Sequence, residues 1–211
     1  MRIVVVEAGL GTPSSTRLLA DRLTAATAEM LAGQDLEFST IALRELAHPL
    51  ADNLLTGFPS GPLVPAIEAV AAADALIVVT PVFAASYSGL FKMFFDVLEP
   101  GALRGTPVLL AATAGTARHS LVLEHAVRPL LSYLGALTVP TAVFAATEDW
   151  GAAGVGALDE RIARAATDLS GLLLAGSTRG AGPDAEAAVV KENSFGAPAT
   201  FIDELLRSAR T

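Results

Sequence analysis

The 211-residue chain contains no cysteine. That excludes disulfides, thiolate nucleophiles, zinc–thiolate sites and iron–sulfur clusters, so redox chemistry has to come from a bound organic cofactor or a metal held by other ligands. Charge is sparse as well: 17% of residues are charged and the net charge is −8. This argues against nucleic acid as a main partner, because neutralising phosphates needs clustered Lys and Arg. Long apolar runs are missing too. The opening MRIVVVEAG reaches Glu7 after one short apolar run, too brief for a signal peptide or membrane span, and no later stretch has membrane-spanning character. The expectation is an acidic cytoplasmic protein that uses neither membrane nor nucleic acid. Hydrophobic residues make up 52% of the chain, enough for a sizeable core in one large α/β domain.

Along the chain, short β-branched runs alternate with stretches of helical spacing, the pattern of a parallel sheet covered on both faces. Arg2–Val6, Leu36–Leu43, Ala75–Val79, Pro107–Ala112 and Leu137–Phe144 read as five strands. Ser15–Leu31, Pro62–Ala73, Ser88–Leu98, His119–Leu134 and Leu158–Leu174 read as five helices. The expected architecture is a doubly wound five-stranded parallel sheet over residues 1–175. Arg44–Gly61, with His48-Pro49, Gly57-Phe58-Pro59 and Gly61, reads as a long rim loop. Residues 176–211 read as a linker followed by a C-terminal helix over Ala199–Arg210, expected to pack on the domain or on a neighbouring subunit.

In doubly wound sheets ligands bind at the carboxyl edge where strand order reverses. Three loops compete for that crevice. The first, AGLGTPSST, carries Ser14, Ser15 and Thr16 at a helix start, where unpaired N–H groups and the helix dipole suit a phosphate. The same hydroxyls serve equally well as ordinary N-caps. The loop is neither GxGxxG nor GxxxxGK[ST]. The second, TPVFAASYSGLFK, has Pro81 expected to end the strand, and Phe83 and Tyr87 able to pack on a planar ring or simply in the core. The third, Thr113-Ala114-Gly115-Thr116, can turn N–H groups toward a ring-edge carbonyl. His48 reads as a surface residue and His119 as a helix-start residue. No histidine pair has metal-ligating helical spacing.

TPVFAASYSGLFK, followed by ATAGTARHS and by Arg128-Pro129-Leu130, resembles the NAD(P)H-dependent FMN reductases, flavodoxin-like enzymes that include reductase components of two-component sulfonate monooxygenases. The resemblance covers roughly residues 1–175. It implies FMN as the cofactor, NADPH or NADH as hydride donor, a possible partner monooxygenase and a homodimer or homotetramer. It also implies residue roles: Ser14, Ser15, Thr16 and the backbone of Leu10 at the FMN phosphate; Pro81, Val82, Phe83 and Ala84 along the isoalloxazine; Ser86 near the phosphate or ribityl chain; Thr113, Ala114, Gly115 and Thr116 at the pyrimidine edge. No catalytic side chain is implied, since the flavin carries the chemistry. A self-contained quinone, azo or nitro reductase that retains FMN shares every one of these motifs, and a non-enzymatic electron carrier is a further alternative. Three residues depart from the family's pattern. Phe83 replaces a usual Tyr, Ala114 a usual Gly, and Glu7 stands where a small hydroxyl residue is common. Similar reductases carry an aromatic at position 125 in a locally widened helix at a subunit interface; here the residue is His125.

Overall fold

The computed structural model describes residues 1–151 and 154–177. In chain order these form β1 (Arg2–Glu7), α1 (Ser15–Met30), β2 (Glu37–Ala42), α2 (Ala47–Thr56), α3 (Leu63–Ala71), β3 (Ala75–Phe83), β4 (Ser86–Tyr87), α4 (Gly89–Asp96), β5 (Pro107–Ala114), α5 (Arg128–Tyr133), β6 (Leu137–Thr138), β7 (Val143–Ala146) and α6 (Val155–Ser177). The main sheet runs β2-β1-β3-β5, with β6 and β7 both pairing the far edge of β5 in parallel. With β6 and β7 taken as one interrupted strand, this is the five-stranded flavodoxin-like order, reversing between β1 and β3.

Alternation along each strand divides the core into two layers. Val4, Val6, Leu76, Val78 and Leu110 pack with Leu50 of α2, Val70 of α3, Phe91 of α4 and Leu131 of α5. Ile3, Val5, Ile77, Val79 and Leu109 pack with Leu19 and Leu23 of α1 and with Leu158 and Leu169 of α6. The central strands β1, β3 and β5 are buried on both faces, which is why they read as apolar runs, whereas edge strand β2 has no buried residue and alternates.

Several elements depart from the sequence reading, each for a local reason. Arg44–Gly61 is not a rim loop: a 3-10 turn at Leu43–Leu46 leads into α2. Pro49 falls in the first helical turn, where its missing N–H would have had no partner. The helix ends at Gly57 (φ 80°), whose N–H donates to Asn53 O. Pro81 does not end β3. The strand continues to Phe83 and folds back on β4. Pro81 is tolerated because it lies past Val79, the last residue of β3 in register with β1, so its missing N–H breaks no bond on that side. The fifth strand is interrupted at Pro140, which cannot donate to the ladder; Val139 still donates to Val108 O, while Thr141 N–H turns to Asp168 Oδ2 of α6 at 3.0 Å. The helix expected over His119–Leu134 comprises a 3-10 turn at Ala117–His119, a π-helical turn at Leu123–Val127 and α5. Pro129 accounts for the widening. It cannot donate to His125 O and its ring crowds that carbonyl, and Arg128 N–H bonds Leu123 O, five residues back. Helix α6 runs to Ser177, past the expected start of the linker. The rest of that linker and the expected helix over Ala199–Arg210 lie outside the described residues.

Candidate functional site

The site is built at the carboxyl edge from the ends of β1, β3 and β5. After β1 the chain passes through Ala8–Pro13 to Ser14, which caps α1: its Oγ accepts the Arg17 N–H at 3.2 Å. The N–H groups of Ser15 and Thr16, in the first turn, have no carbonyl to meet within the helix. The Ser15 side chain is exposed and Leu10 is 44% exposed. The Thr16 hydroxyl is committed elsewhere: it is buried and shares a 2.8 Å hydrogen bond with Thr113 Oγ1 at the end of β5. This bond ties the first loop to the third.

The second loop is a β-hairpin. Val82 pairs with Tyr87 and Phe83 with Ser86, leaving Ala84 and Ala85 as a two-residue turn with φ 47° and 64°. Positive φ at both central positions is the requirement of a type I′ turn, which Gly or Asn normally meets. Alanine there costs of the order of 1–2 kcal/mol per residue, and a strained turn of this kind is typical of a site that has to hold one shape. The hairpin lifts Phe83 to 48% exposure. Tyr87 instead points inward onto Phe91, ring centroids 5.8 Å apart, so it belongs to the core layer rather than to the site. Below the turn, Ser88 is buried, its N–H donates to Thr80 Oγ1 at 3.0 Å and its Oγ accepts the Phe91 N–H that opens α4.

The third loop leaves β5 with Pro81 and Thr113 side by side in the sheet, so the second and third loops emerge together. Ala114 is half-buried, Gly115 is exposed, and Thr116 caps the following 3-10 turn through Arg118 N–H. His119 is half-buried; His48 and His125 are exposed. The three loops that carry the sequence-expected site residues thus leave the sheet at one edge.

Two further residues shape the first loop, Gly9, which the sequence reading passed over, and Glu7, which it noted only as a departure from the family's pattern. Gly9 is required by space: a Cβ there would collide with Ser14 Oγ and stand 2.8 Å from Glu7 Oε2. The signal was the AGLG run, overshadowed by the hydroxyls beside it. Glu7 is 4% exposed, and its Oε2 accepts the Gly9 N–H at 2.8 Å. Its carboxyl is pushed above the ordinary carboxylate range by burial, which outweighs the Gly9 hydrogen bond and the attraction of Arg17; Asp21 and Glu45 push the same way as burial. Beside this loop opens a cleft of about 360 Å³ whose charged lining is Glu7, Arg17, Asp21, Arg44 and Glu45.

The arrangement offers unpaired amides and a hydroxyl for a phosphate, an exposed aromatic on a stiff hairpin for a flat ring, and a glycine-bearing turn for the ring's polar edge. These features fit a flavin mononucleotide. Residues 1–151 match the model of the NADPH-dependent FMN reductase family. An FMN reductase (NADPH) of Pseudomonas aeruginosa is 39% identical over 149 residues, 71% of this chain and 78% of that protein. The NADH-dependent FMN reductase SfnE of Pseudomonas putida is 41% identical over 145 residues, 69% of this chain and 76% of that one. A solved oxidoreductase from Corynebacterium diphtheriae is 50% identical and superimposes with a TM-score of 0.80, covering 82% of this chain and 97% of that one. The chain belongs to the NADPH-dependent FMN reductase family.

Proposed function

We propose that this protein reduces FMN with hydride from NADH or NADPH and passes the reduced flavin to a partner monooxygenase. The observation that carries the reading is the convergence of three loops: the first-turn amides of α1, the Phe83 hairpin and the Gly115 turn, joined by the Thr16–Thr113 hydrogen bond of 2.8 Å. FMN supplies the centre that accepts the hydride, so no protein acid, base or nucleophile is needed for the transfer.

The chain's own part is to bind and orient. The N–H groups of Ser15 and Thr16, the hydroxyls of Ser14 and Ser15 and the backbone at Leu10 hold the phosphate. The Thr16 hydroxyl instead fixes the loop to Thr113. Pro81, Val82, Phe83 and Ala84 present a stiff surface to the ring, with Ser86 at its sugar-chain side. Thr113 and Ala114 shape the third loop so that the N–H groups of Gly115 and Thr116 donate to the pyrimidine edge, where negative charge grows on reduction. Phe83, without a phenol, offers only an apolar face. The partner is suggested by the resemblance to reductase components of two-component monooxygenases, and residence in the cytoplasm is part of the same proposal. Assembly as a homodimer or homotetramer is supported by Leu121, Tyr133 and Leu137, which stand 62%, 77% and 48% exposed along one stretch of chain.

The test is NADH and NADPH oxidation by purified protein with free FMN in excess. Saturable turnover from protein isolated largely colourless is the expected result. Yellow protein that turns over only when a quinone or azo dye is added would replace this reading with a self-contained reductase, and failure to bind flavin would overturn both.

A further inference from the structure

Glu7 is the feature of the site that binding alone does not explain. It is a buried carboxylate at the foot of a loop that, on the reading above, has to receive a phosphate dianion. In the sheet its neighbours are Ala42 on β2 and Val79 on β3, neither of which can balance a charge. The charged groups facing it are Arg17 and Asp21 of α1 and Glu45 of the turn after β2. Arg17 is already paired with Asp21 at 2.8 Å, and Arg44, across the cleft, donates to Thr12 Oγ1 at 3.0 Å. The lining of the cleft therefore holds three carboxylates and two guanidiniums, Arg17 in an ion pair and Arg44 bonded through one N–H to a neutral hydroxyl. With Glu7 ionised the sum is one negative charge, unfavourable to a further anion. Glu7 also takes the Gly9 N–H, removing one backbone donor from the loop, and the space around Gly9 is shared between Glu7 Oε2 and Ser14 Oγ.

We propose that Glu7 is an internal anion beneath the phosphate loop, one that opposes the charge of the flavin phosphate and holds FMN affinity low enough for the reduced flavin to leave. It is a specificity-setting residue, not a catalytic one, and it acts on the phosphate and not on the ring. Coulomb repulsion has two consequences here. Neutralising Glu7 tightens binding of a flavin that carries a phosphate and leaves a flavin without one unaffected. Binding FMN makes Glu7 take up a proton, because a protonated carboxyl no longer repels the incoming dianion.

The inference rests on the flavin reading, and the experiment separates the two. FMN and riboflavin are titrated by fluorescence quenching against the wild-type protein and Glu7→Gln, whose amide oxygen can still accept the Gly9 N–H. At pH 8 the variant is expected to bind FMN about tenfold more tightly, the scale of one partly screened like-charge contact, with riboflavin affinity unchanged. The difference between the two proteins should shrink as pH falls and Glu7 protonates. Calorimetry supplies a second measurement: in two buffers of different ionisation enthalpy, from pH 5 to 8, the wild type should take up more protons on binding FMN than Glu7→Gln does, with no difference for riboflavin. Equal or weaker FMN binding by the variant, a parallel shift for riboflavin, or equal proton uptake by the two proteins across that range would overturn the role of Glu7 while leaving FMN binding intact. No quenching of FMN by either protein would sink the flavin reading as well.

Discussion

At the scale of single residues, two glycines of the site make opposite demands. Gly9 has no room for a side chain, whereas a Cβ on Gly115 would meet nothing within 4 Å. Gly9→Ala is therefore expected to displace Ser14 or Glu7 and to destabilise the fold by about 1–3 kcal/mol, the usual cost of overpacking, with FMN binding lost alongside. Gly115→Ala should unfold at the wild-type urea concentration and change only flavin affinity. Equal unfolding midpoints for the two variants would contradict this distinction. The hydroxyls of the first loop were readable as both caps and phosphate ligands, and the structure divides the work between them. Ser14 caps α1 by accepting the Arg17 N–H and keeps its O–H to donate, Thr16 bonds Thr113, and the exposed Ser15 is left for a ligand. Sequence could not make that division, because the partner of Thr16 lies 97 residues away.

At the scale of elements, the stiff part of the site is the hairpin β3–β4 seated on the start of α4. Ser88 links them, receiving the Phe91 N–H on its Oγ and giving its own N–H to Thr80. Ser88→Ala leaves the Phe91 N–H without its cap and should cost about 1 kcal/mol in chemical unfolding. The loss should also weaken retention of the ring, seen as a higher KM for FMN. An unchanged unfolding midpoint would mean the cap contributes nothing. The sequence misled at this scale where proline was read as a breaker. Pro81 lies within β3 and Pro49 in the first turn of α2, while Pro129, inside the expected helix, widens it. In each case the missing N–H either had no partner to lose or was absorbed by a changed hydrogen-bond spacing.

At the scale of the molecule, two carboxylates couple folding to pH with opposite signs. Glu7 has its pKa raised by burial, so its contribution is complete below 4.5 and is lost as pH rises through its folded value. Glu124 has its pKa lowered, chiefly by the Arg128 hydrogen bond, so its contribution is present above 4.5 and disappears as pH falls. Glu124 is half exposed, and solvent screening keeps its effect small. Of the two, Glu7 therefore governs the pH dependence. Thermal melts of Glu7→Gln and wild type should coincide near pH 4, where about two-thirds of an ordinary glutamate is already protonated, and separate as pH rises to 8, the variant being the more stable. A wild type more stable than the variant at pH 8 would show that the Gly9 hydrogen bond outweighs the cost of burying the charge.

What the sequence determined by itself was whatever local composition and spacing dictate. Apolar strands, the helices that cover them and the hydroxyl-rich, aromatic and glycine-bearing turns are written in consecutive residues, and so the doubly wound class and the three loops of the site could be read directly. What only the tertiary structure decided were relations between distant residues: which face of the sheet buries Glu7, that Thr16 and Thr113 meet, that Tyr87 turns into the core while Phe83 stays exposed. Those choices depend on strand order and register, where burial cost and hydrogen-bond partners are set by neighbours from other elements, and no stretch of contiguous sequence contains them.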